Sequence, residues 1–359
     1  MNLSMPSKKE RECYLKTFDK ILQSGIFIMG KEVEAFEKKI SEYCNCKYSV
    51  GVGSGTDALI LALLSYDIKQ GDEVIIPDIS FIATANAVSI TGATPIFCDV
   101  NDDFNININS LEKTISSKTK AIIPVHYGGR MANMEAIKKI TKKYKLIVIE
   151  DASQAFGAKR NNKMAGTLGD LGCFSLNPMK PLGAFGEAGV ITTNSKSRYK
   201  KLKSLRYNGL DHNKKCIYKS LNGKIDTLQA AFLTMKIDML NETTKKRKEI
   251  ADYYNKHLKK YVIIPITEEN NKDAFFTYTI LVKEELRDEL FTYLLNKKIE
   301  VKINNTSMHK EPAYLKKGIN LQNSIKVSKM KLALPCHEKL KRKEIQYIVY
   351  SIKKFFNEM

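Results

Sequence analysis

Short apolar segments rich in β-branched residues recur through the first two thirds of the chain, and they restrict its fold more than any other feature. The first five are separated by stretches such as TDALILALLSYDI, whose apolar residues follow helical spacing. Continuous apolar strands that alternate with helices indicate a mostly parallel sheet covered on both faces, and therefore an α/β fold. The segments are residues 48–52, 73–77, 94–100, 120–126, 145–151, 173–176 and 189–193.

The pattern changes after about residue 226. Residues 227–261 have the composition of one long helix or of two helices with a break, and residues 275–282 (FFTYTILV) resemble a strand. Residues 286–299 and 340–359 are amphipathic and predict two further helices. We therefore predict a large α/β domain over residues 1–240 and a small C-terminal α+β domain over residues 241–359.

Charge and cysteine content narrow the class of protein. The net charge is +20, but only 8 of the 59 basic residues are arginine, the residue favoured for planar phosphate recognition, and the lysines are scattered. Nucleic-acid binding is therefore disfavoured. No apolar run approaches the ~20 residues of a membrane span, and the N-terminus lacks a signal-peptide pattern. Seven cysteines without a CxxC pair favour reduced thiols and no metal site. We expect a cytoplasmic protein.

Two segments place candidate ligand groups where a strand ends. GVGSGTDALILALL (residues 51–64) puts a glycine turn between a strand and a helix, where free amide groups can bind phosphate. A tight connection without a ligand is the alternative. KLIVIEDASQAFGA (residues 145–158) ends a strand with Glu150 and Asp151. A carboxylate at this edge of a parallel sheet is either functional or the cap of the next helix.

A third segment, FSLNPMKPLGAFGEAG (residues 174–189), places Lys180 among glycines, prolines and apolar residues. Desolvation there would lower the pKa of the amine and make it nucleophilic. Nucleophilic lysines form Schiff bases with carbonyl compounds, including pyridoxal phosphate. That cofactor also requires a phosphate site, a carboxylate for its ring nitrogen and an aromatic face, for which Phe81 in PDISFIATANAV is the candidate.

These blocks make the chain similar to the DegT/DnrJ/EryC1/StrS aminotransferases, a family of pyridoxal-phosphate enzymes that act on sugars. The resemblance extends from residue 24 almost to the C-terminus, with the motifs in family order and spacing. It implies the type I aminotransferase fold, with a mostly parallel seven-stranded sheet in the large domain. The matching blocks are GSGTDAL, PDISFIATANAV, EDASQAFGA, FSLNPMKPLGAFGEAGV and LNGKIDTLQAA.

The resemblance also implies a role for individual residues. Lys180 would bond to the cofactor and move the proton during transamination, and Asp151 would keep the ring nitrogen protonated. Gln154 would bind near the phenolic oxygen, and Phe81 would stack on the ring. The phosphate would be bound by Gly55, Thr56 and Ser175, joined by Asn222 of a neighbouring subunit in a homodimer with shared active sites.

Two histidines are weaker candidates for substrate contact. His126 follows a strand, where a capping or loop role is equally consistent. His309 matches a family position near the substrate, and an exposed loop is its alternative. Two departures from the family pattern concern the same regions: Lys224 replaces an arginine, and residues 302–314 lack the usual prolines.

The function that follows is transfer of an amino group from L-glutamate to a keto sugar linked to a nucleotide. A non-nucleotide keto phosphate is the alternative acceptor. A dehydratase of the same fold would have histidine in place of Lys180, which disfavours that function. A non-catalytic regulatory protein that binds the cofactor is a further alternative.

Overall fold

The computed structural model describes residues 7–304, 307–315 and 318–358. Its helices are α1 (Lys8–Ser24), α2 (Lys31–Cys44), α3 (Gly55–Ser65), α4 (Ala83–Ile90), α5 (Ile108–Thr114), α6 (Met134–Tyr144), α7 (Lys196–Arg206), α8 (Thr227–Ile237), α9 (Leu240–Leu258), α10 (Glu284–Asn296), α11 (Gln322–Met330) and α12 (Arg342–Asn357). The strands are β1 (Tyr48–Val52), β2 (Glu73–Pro77), β3 (Thr94–Cys98), β4 (Thr119–Ile122), β5 (Ile147–Asp151), β6 (Lys159–Arg160), β7 (Lys163–Met164), β8 (Leu171–Ser175), β9 (Gly189–Thr193), β10 (Asn271–Lys272), β11 (Tyr278–Leu281) and β12 (Lys331–Leu334).

Seven strands form the main sheet in the order β1-β9-β8-β5-β4-β2-β3. Only β9 runs antiparallel to its neighbours, β1 and β8, and the remaining pairs are parallel. Each predicted apolar segment supplies one strand of this sheet. The prediction of a mostly parallel sheet is therefore confirmed.

The main sheet is buried on both faces because its strands are apolar at successive positions. Val74 and Ile76 of β2 belong to one hydrophobic cluster, whereas Ile75, between them, belongs to the cluster on the opposite face. Side chains alternate across a strand, so an uninterrupted apolar run fills two cores at once. Because β3, β2, β4, β5 and β8 run parallel, their carboxyl ends meet at one edge of the sheet.

The C-terminal part has a hydrophobic core of its own. Tyr254 of α9, Ile280 of β11, Leu290 of α10 and Ile352 of α12 share this cluster, and β11 pairs with β12 in a two-stranded antiparallel sheet. The predicted break in the long helix lies between α8 and α9. The boundary at residues 240/241 stays a prediction, which the separate core supports.

None of the helices described by the structure combines the length and the apolarity that crossing a bilayer would require.

Candidate active site

A cavity of about 620 Å³ lies where the carboxyl ends of strands of the main sheet face segments of the C-terminal part. Lys180, Asp151, Gln154 and Phe81 line it. The structure thus brings together most of the residues that the sequence motifs selected, although they are far apart along the chain. The same lining includes Gly55, Thr56 and Ser175.

The N-terminus of α3 forms one end of the cavity. Ser54 caps this helix, because its hydroxyl accepts a hydrogen bond from the Asp57 amide at 3.0 Å. A Cβ atom on Gly55 would lie 2.6 Å from the Cβ of Ser175, so only glycine lets the helix approach β8 this closely. Helix amides together with the Thr56 and Ser175 hydroxyls are a donor set that suits a phosphate group.

Asp151 is buried at the end of β5, where two hydrogen bonds orient its carboxylate. The Thr84 hydroxyl donates to Oδ2 at 2.8 Å, and the Ser153 amide donates to Oδ1 at 3.1 Å. Thr84 is itself 2.8 Å from the Ser80 hydroxyl. These bonds hold a negative charge at a fixed place in the cavity wall, as partnership with a cationic ring nitrogen requires.

Lys180 lies in the loop between β8 and β9. Burial lowers the pKa of its amine from 10.5 to about 8, because the charged form loses hydration there, while Asp151 and Glu187 oppose the shift. Its Nζ lies 4.3 Å from the centroid of the Phe276 ring. The amine therefore has a substantial neutral, nucleophilic fraction at a mildly alkaline pH.

Gln154 and Phe81 complete the group of predicted residues on the cavity wall. The Gln154 side chain is held by the Gly128 amide, which donates to Oε1 at 2.8 Å, so its position is defined. The Phe81 side chain is 62% exposed although it lines the cavity. An aromatic ring that has no core contacts to lose can stack on a planar ligand.

Three predicted residues are not brought to this cavity. The His126 ring is buried, with Nε2 at 2.8 Å from Glu150 Oε2, and its Nδ1 accepts from the Ala132 amide at 3.2 Å. The His309 ring is also buried; its Nδ1 lies 2.9 Å from Asp78 Oδ2 without hydrogen-bond geometry, and its backbone amide donates to Asp78 Oδ1 at 2.9 Å. Both rings lie beside buried carboxylates and neither lines the cavity, so this geometry does not support the predicted substrate contacts. Asn222 is exposed and lies outside the cavity.

Several lining residues were not selected from the sequence. Thr84 lies within PDISFIATANAV, in the first turn of α4 and three residues after Phe81, but nothing in that motif marks it as a partner of Asp151. Phe276 lies just before β11, in a segment whose apolar composition predicts a strand and gives no sign of a functional residue. The wall opposite Lys180 also contains polar side chains from the C-terminal part: Glu300, Lys302, Asn304 and His337.

These four side chains are half-buried or exposed, and the same wall also contains the buried Leu334 and Cys336. Lys302 Nζ lies 3.0 Å from Glu300 Oε1, and about half of each side chain is exposed. Burial lowers the pKa of His337, which keeps that ring neutral at physiological pH. Across the described ranges, no three His, Cys, Asp or Glu side chains are grouped so that they could hold a metal ion.

The fold and the site together define a class of protein. The mostly parallel sheet brings three features to one cavity: a lysine with a lowered pKa, a buried aspartate and a set of donors that suits a phosphate group. Aminotransferases that use a phosphorylated aldehyde cofactor have this arrangement. The chain belongs to the DegT/DnrJ/EryC1/StrS aminotransferase family, whose model matches residues 8–353. The predicted family, fold class and enzyme class are therefore confirmed.

The similarity to known proteins extends over most of the chain. It is 37% identical over 345 residues to dTDP-3-amino-3,6-dideoxy-alpha-D-galactopyranose transaminase of Aneurinibacillus thermoaerophilus, covering 95% of this chain and 94% of the relative. It is also 37% identical over 294 residues to 3-oxo-glucose-6-phosphate:glutamate aminotransferase of Bacillus subtilis, covering 79% and 65%.

A solved structure shares the fold. The crystal structure of NtdA from Bacillus subtilis with the bound cofactor PMP has a TM-score of 0.90 and 32% identity, covering 98% of this chain and 83% of that one.

Proposed function

We propose that this protein is a pyridoxal-phosphate aminotransferase that moves an amino group from L-glutamate to a keto sugar linked to a nucleotide. The observation that carries the proposal is the depressed-pKa amine of Lys180 in one cavity with Asp151 and the N-terminus of α3. Pyridoxal phosphate, when bound, supplies the electron sink that makes amino-group transfer possible. Sugar aminotransferases among the relatives support the acceptor class.

The residues of the cavity fit this cofactor in charge and in size. Gly55, Thr56 and Ser175 would bind its phosphate, because helix amides and two hydroxyls converge there. Asp151 would pair with the ring nitrogen and keep it protonated. Lys180 would hold the cofactor through Nζ and, once displaced by the amino acid, would move the proton at the substrate Cα as a free amine.

Two further groups would orient the cofactor ring. Gln154 has its Oε1 occupied by the Gly128 amide, so its amide nitrogen can donate to the phenolic oxygen. Phe81 would cover one face of the ring, which also excludes water from it. With these contacts, the cavity wall binds and orients, while Lys180 performs the proton transfer.

The identity of both substrates is supported by relatives of two kinds. One relative acts, by its name, on a dTDP-linked amino sugar, which supports a nucleotide-linked acceptor. The other is named for 3-oxo-glucose-6-phosphate and glutamate, which supports L-glutamate as donor and keeps a non-nucleotide keto phosphate as the alternative acceptor.

We propose that the working unit is a homodimer with shared active sites. Four consecutive apolar residues, Ile26 to Met29, are each between 40% and 54% exposed, which favours burial against another chain. Ile28 pairs with Asp226, so this segment lies beside the loop that carries the exposed Asn222. Asn222 would reach the cofactor phosphate of the neighbouring subunit.

The location of the enzyme is also a proposal. All seven cysteines are free, and Cys44, Cys98, Cys173 and Cys336 are buried as thiols. Reduced thiols are usual where the cell keeps a reducing environment. We therefore place the reaction in the cytoplasm.

The test is the visible absorption spectrum of the purified protein with pyridoxal phosphate, before and after L-glutamate is added. We expect a yellow band that bleaches with glutamate and returns with the correct acceptor. Nucleotide-linked keto sugars and a keto sugar phosphate are compared in that second step. A protein that stays colourless with pyridoxal phosphate would contradict the proposal and favour a protein without this chemistry. A band that glutamate leaves unchanged would favour the regulatory alternative.

A further inference from the structure

Lys236 of α8 lies beneath the loop that carries Lys180, residues 176–188, which we call the Lys180 loop. Its Nζ donates a hydrogen bond to the Gly183 carbonyl at 2.6 Å and lies 4.1 Å from the centroid of the Phe185 ring. Burial lowers the pKa of this amine to about 8. This half-buried cation thus contacts a carbonyl group and an aromatic ring of the Lys180 loop, while the charges of Glu10 and Glu338 favour its protonated form.

A second side chain of α8 contacts the same loop. Gln229 accepts a hydrogen bond from the Phe185 amide through Oε1 at 2.8 Å. Gln229 and Lys236 are two helical turns apart, so they lie on one face of α8. The helix therefore fastens the Lys180 loop at two backbone groups.

Close backbone contacts and hydrogen bonds connect Gly183 to the turn that carries Lys180. A Cβ atom on Gly183 would lie 2.6 Å from the Pro178 carbonyl oxygen, so the two backbone segments are in direct contact. The Lys180 amide donates to the Asn177 carbonyl at 2.8 Å, and the Ala184 amide donates to the Leu176 carbonyl at 2.8 Å. A displacement of Gly183 is therefore passed to the turn that holds Lys180.

Partial burial of Lys236 is unfavourable unless its contacts compensate for it. The ammonium group loses part of its hydration, which the Gly183 carbonyl and the Phe185 ring only partly replace, and an apolar side chain of similar length would avoid this loss. Lys39 offers a contrast. It is also half-buried and also donates to a carbonyl of α8, that of Thr234, at 2.9 Å, but its second partner is Asp238, outside the Lys180 loop.

We propose that Lys236 is a positioning residue, which sets the place of the Lys180 amine in the cavity by holding the Gly183 carbonyl. The inference rests on the proposed role of Lys180. A misplacement of about 1 Å is enough to slow a reaction by up to about 100-fold, so a single hydrogen bond to this loop can matter.

The test compares Lys236→Met, which keeps the length and removes the donor, with Lys236→Arg, which keeps a donor. Lys39→Met is the matched control. For Lys236→Met we expect kcat to fall about tenfold with KM for the acceptor unchanged, and pyridoxal phosphate to dissociate faster on dialysis. The pH at which the visible band of the cofactor-bound protein titrates should also shift. Lys236→Arg should recover most of these losses, and Lys39→Met should leave all three properties unchanged.

Failure of this inference can be told apart from failure of the proposed function. A wild-type protein that binds no pyridoxal phosphate would overturn the role of Lys180 itself. A wild type that binds it, with a Lys236→Met protein of equal kcat, cofactor retention and spectral titration, would overturn only the positioning role. If Lys236→Met does not fold, Gln229→Ala removes the second contact. Wild-type kcat, cofactor retention and spectral titration in Gln229→Ala and in Lys236→Arg would then overturn the proposal that α8 positions the Lys180 loop, whereas losses in Gln229→Ala with recovery in Lys236→Arg would support it.

Discussion

The two walls of the cavity are built differently. The first, which we call the cofactor wall, consists of Gly55, Thr56, Asp151, Ser175 and Lys180, all at strand ends, a helix start or a tight loop. Buried hydrogen bonds or close backbone packing fix it. The opposite wall combines buried residues at the end of β12, among them Leu334 and Cys336, with longer polar side chains that are partly exposed to solvent: Glu300, Lys302, Asn304 and His337.

This difference indicates a division of labour. Rigid elements suit groups that must meet one cofactor in one geometry, whereas irregular segments tolerate change and can select among substrates. We therefore expect changes in the cofactor wall to abolish the chemistry and changes in the opposite wall to alter which acceptor is used. Four measurements test that expectation.

The largest effect is expected for Lys180→Ala, which removes the amine that we propose holds the cofactor and moves the proton. Steady-state kcat should fall by about 10³- to 10⁴-fold, while the circular dichroism spectrum stays that of the wild type. Lys39→Ala is the control, since that lysine lies outside the cavity. Appreciable amination of a keto sugar by Lys180→Ala would contradict the assigned mechanism.

Asp151→Asn should have the next largest effect. The amide keeps the shape of the side chain but removes the charge that stabilises a protonated ring nitrogen, so kcat should fall by about 10²- to 10³-fold with cofactor retained. Thr84→Val removes only one hydrogen bond to this carboxylate and should cost much less. Equal losses in the two variants, measured by single-turnover kinetics, would take the electronic role away from Asp151.

The pH dependence of cofactor binding tests the lowered pKa of Lys180. Only the neutral amine reacts with an aldehyde, and its fraction rises as the pH increases through the pKa, which is about 8 in this fold. The rate at which cofactor-free protein combines with pyridoxal phosphate should rise about tenfold per pH unit well below pH 8 and level off above it. A midpoint near the ordinary lysine value of 10.5 would show that burial leaves this amine unperturbed.

The smallest effect is expected in the opposite wall. Lys302→Met removes a cation from the mouth of the cavity, so KM for a phosphate-bearing acceptor should rise about fivefold, the value of one hydrogen bond. The half-reaction with L-glutamate, followed by bleaching of the visible band, should be unchanged. Lys310→Met, in the same region but exposed and outside the cavity, is the control. A slower glutamate half-reaction in Lys302→Met would contradict the expectation that the opposite wall affects only the choice of acceptor.

Most of the cofactor wall could be predicted because each of its groups is marked by its neighbours in sequence. Glycines, a strand end or a helix start accompany Gly55, Asp151 and Lys180 within a few residues. Thr84 and Phe276 have no such mark. Thr84 meets Asp151 across 67 residues of chain, and Phe276 reaches Lys180 from beyond α9. Contacts of this kind leave no local pattern.

The two histidines also show that local sequence does not indicate contacts between distant segments. His126 and His309 stand where a ligand could be expected, after a strand and in a loop near a family motif. Whether such a ring points into a cavity or into the protein depends on which partners the packing offers. The His126 ring lies against Glu150 and the His309 ring against Asp78, and neither carboxylate is a near neighbour of its histidine in sequence.

The sequence by itself therefore determined the mostly parallel sheet, the alternation of its strands with helices along the chain, and the residues that we propose for cofactor binding, since apolar periodicity and turn composition act over a few residues. Only the tertiary structure decided which side chains close the cavity, where the histidines point, and that Lys236 supports the Lys180 loop. These depend on contacts between distant segments, and the free energy of such contacts arises from close packing that no short stretch of sequence contains.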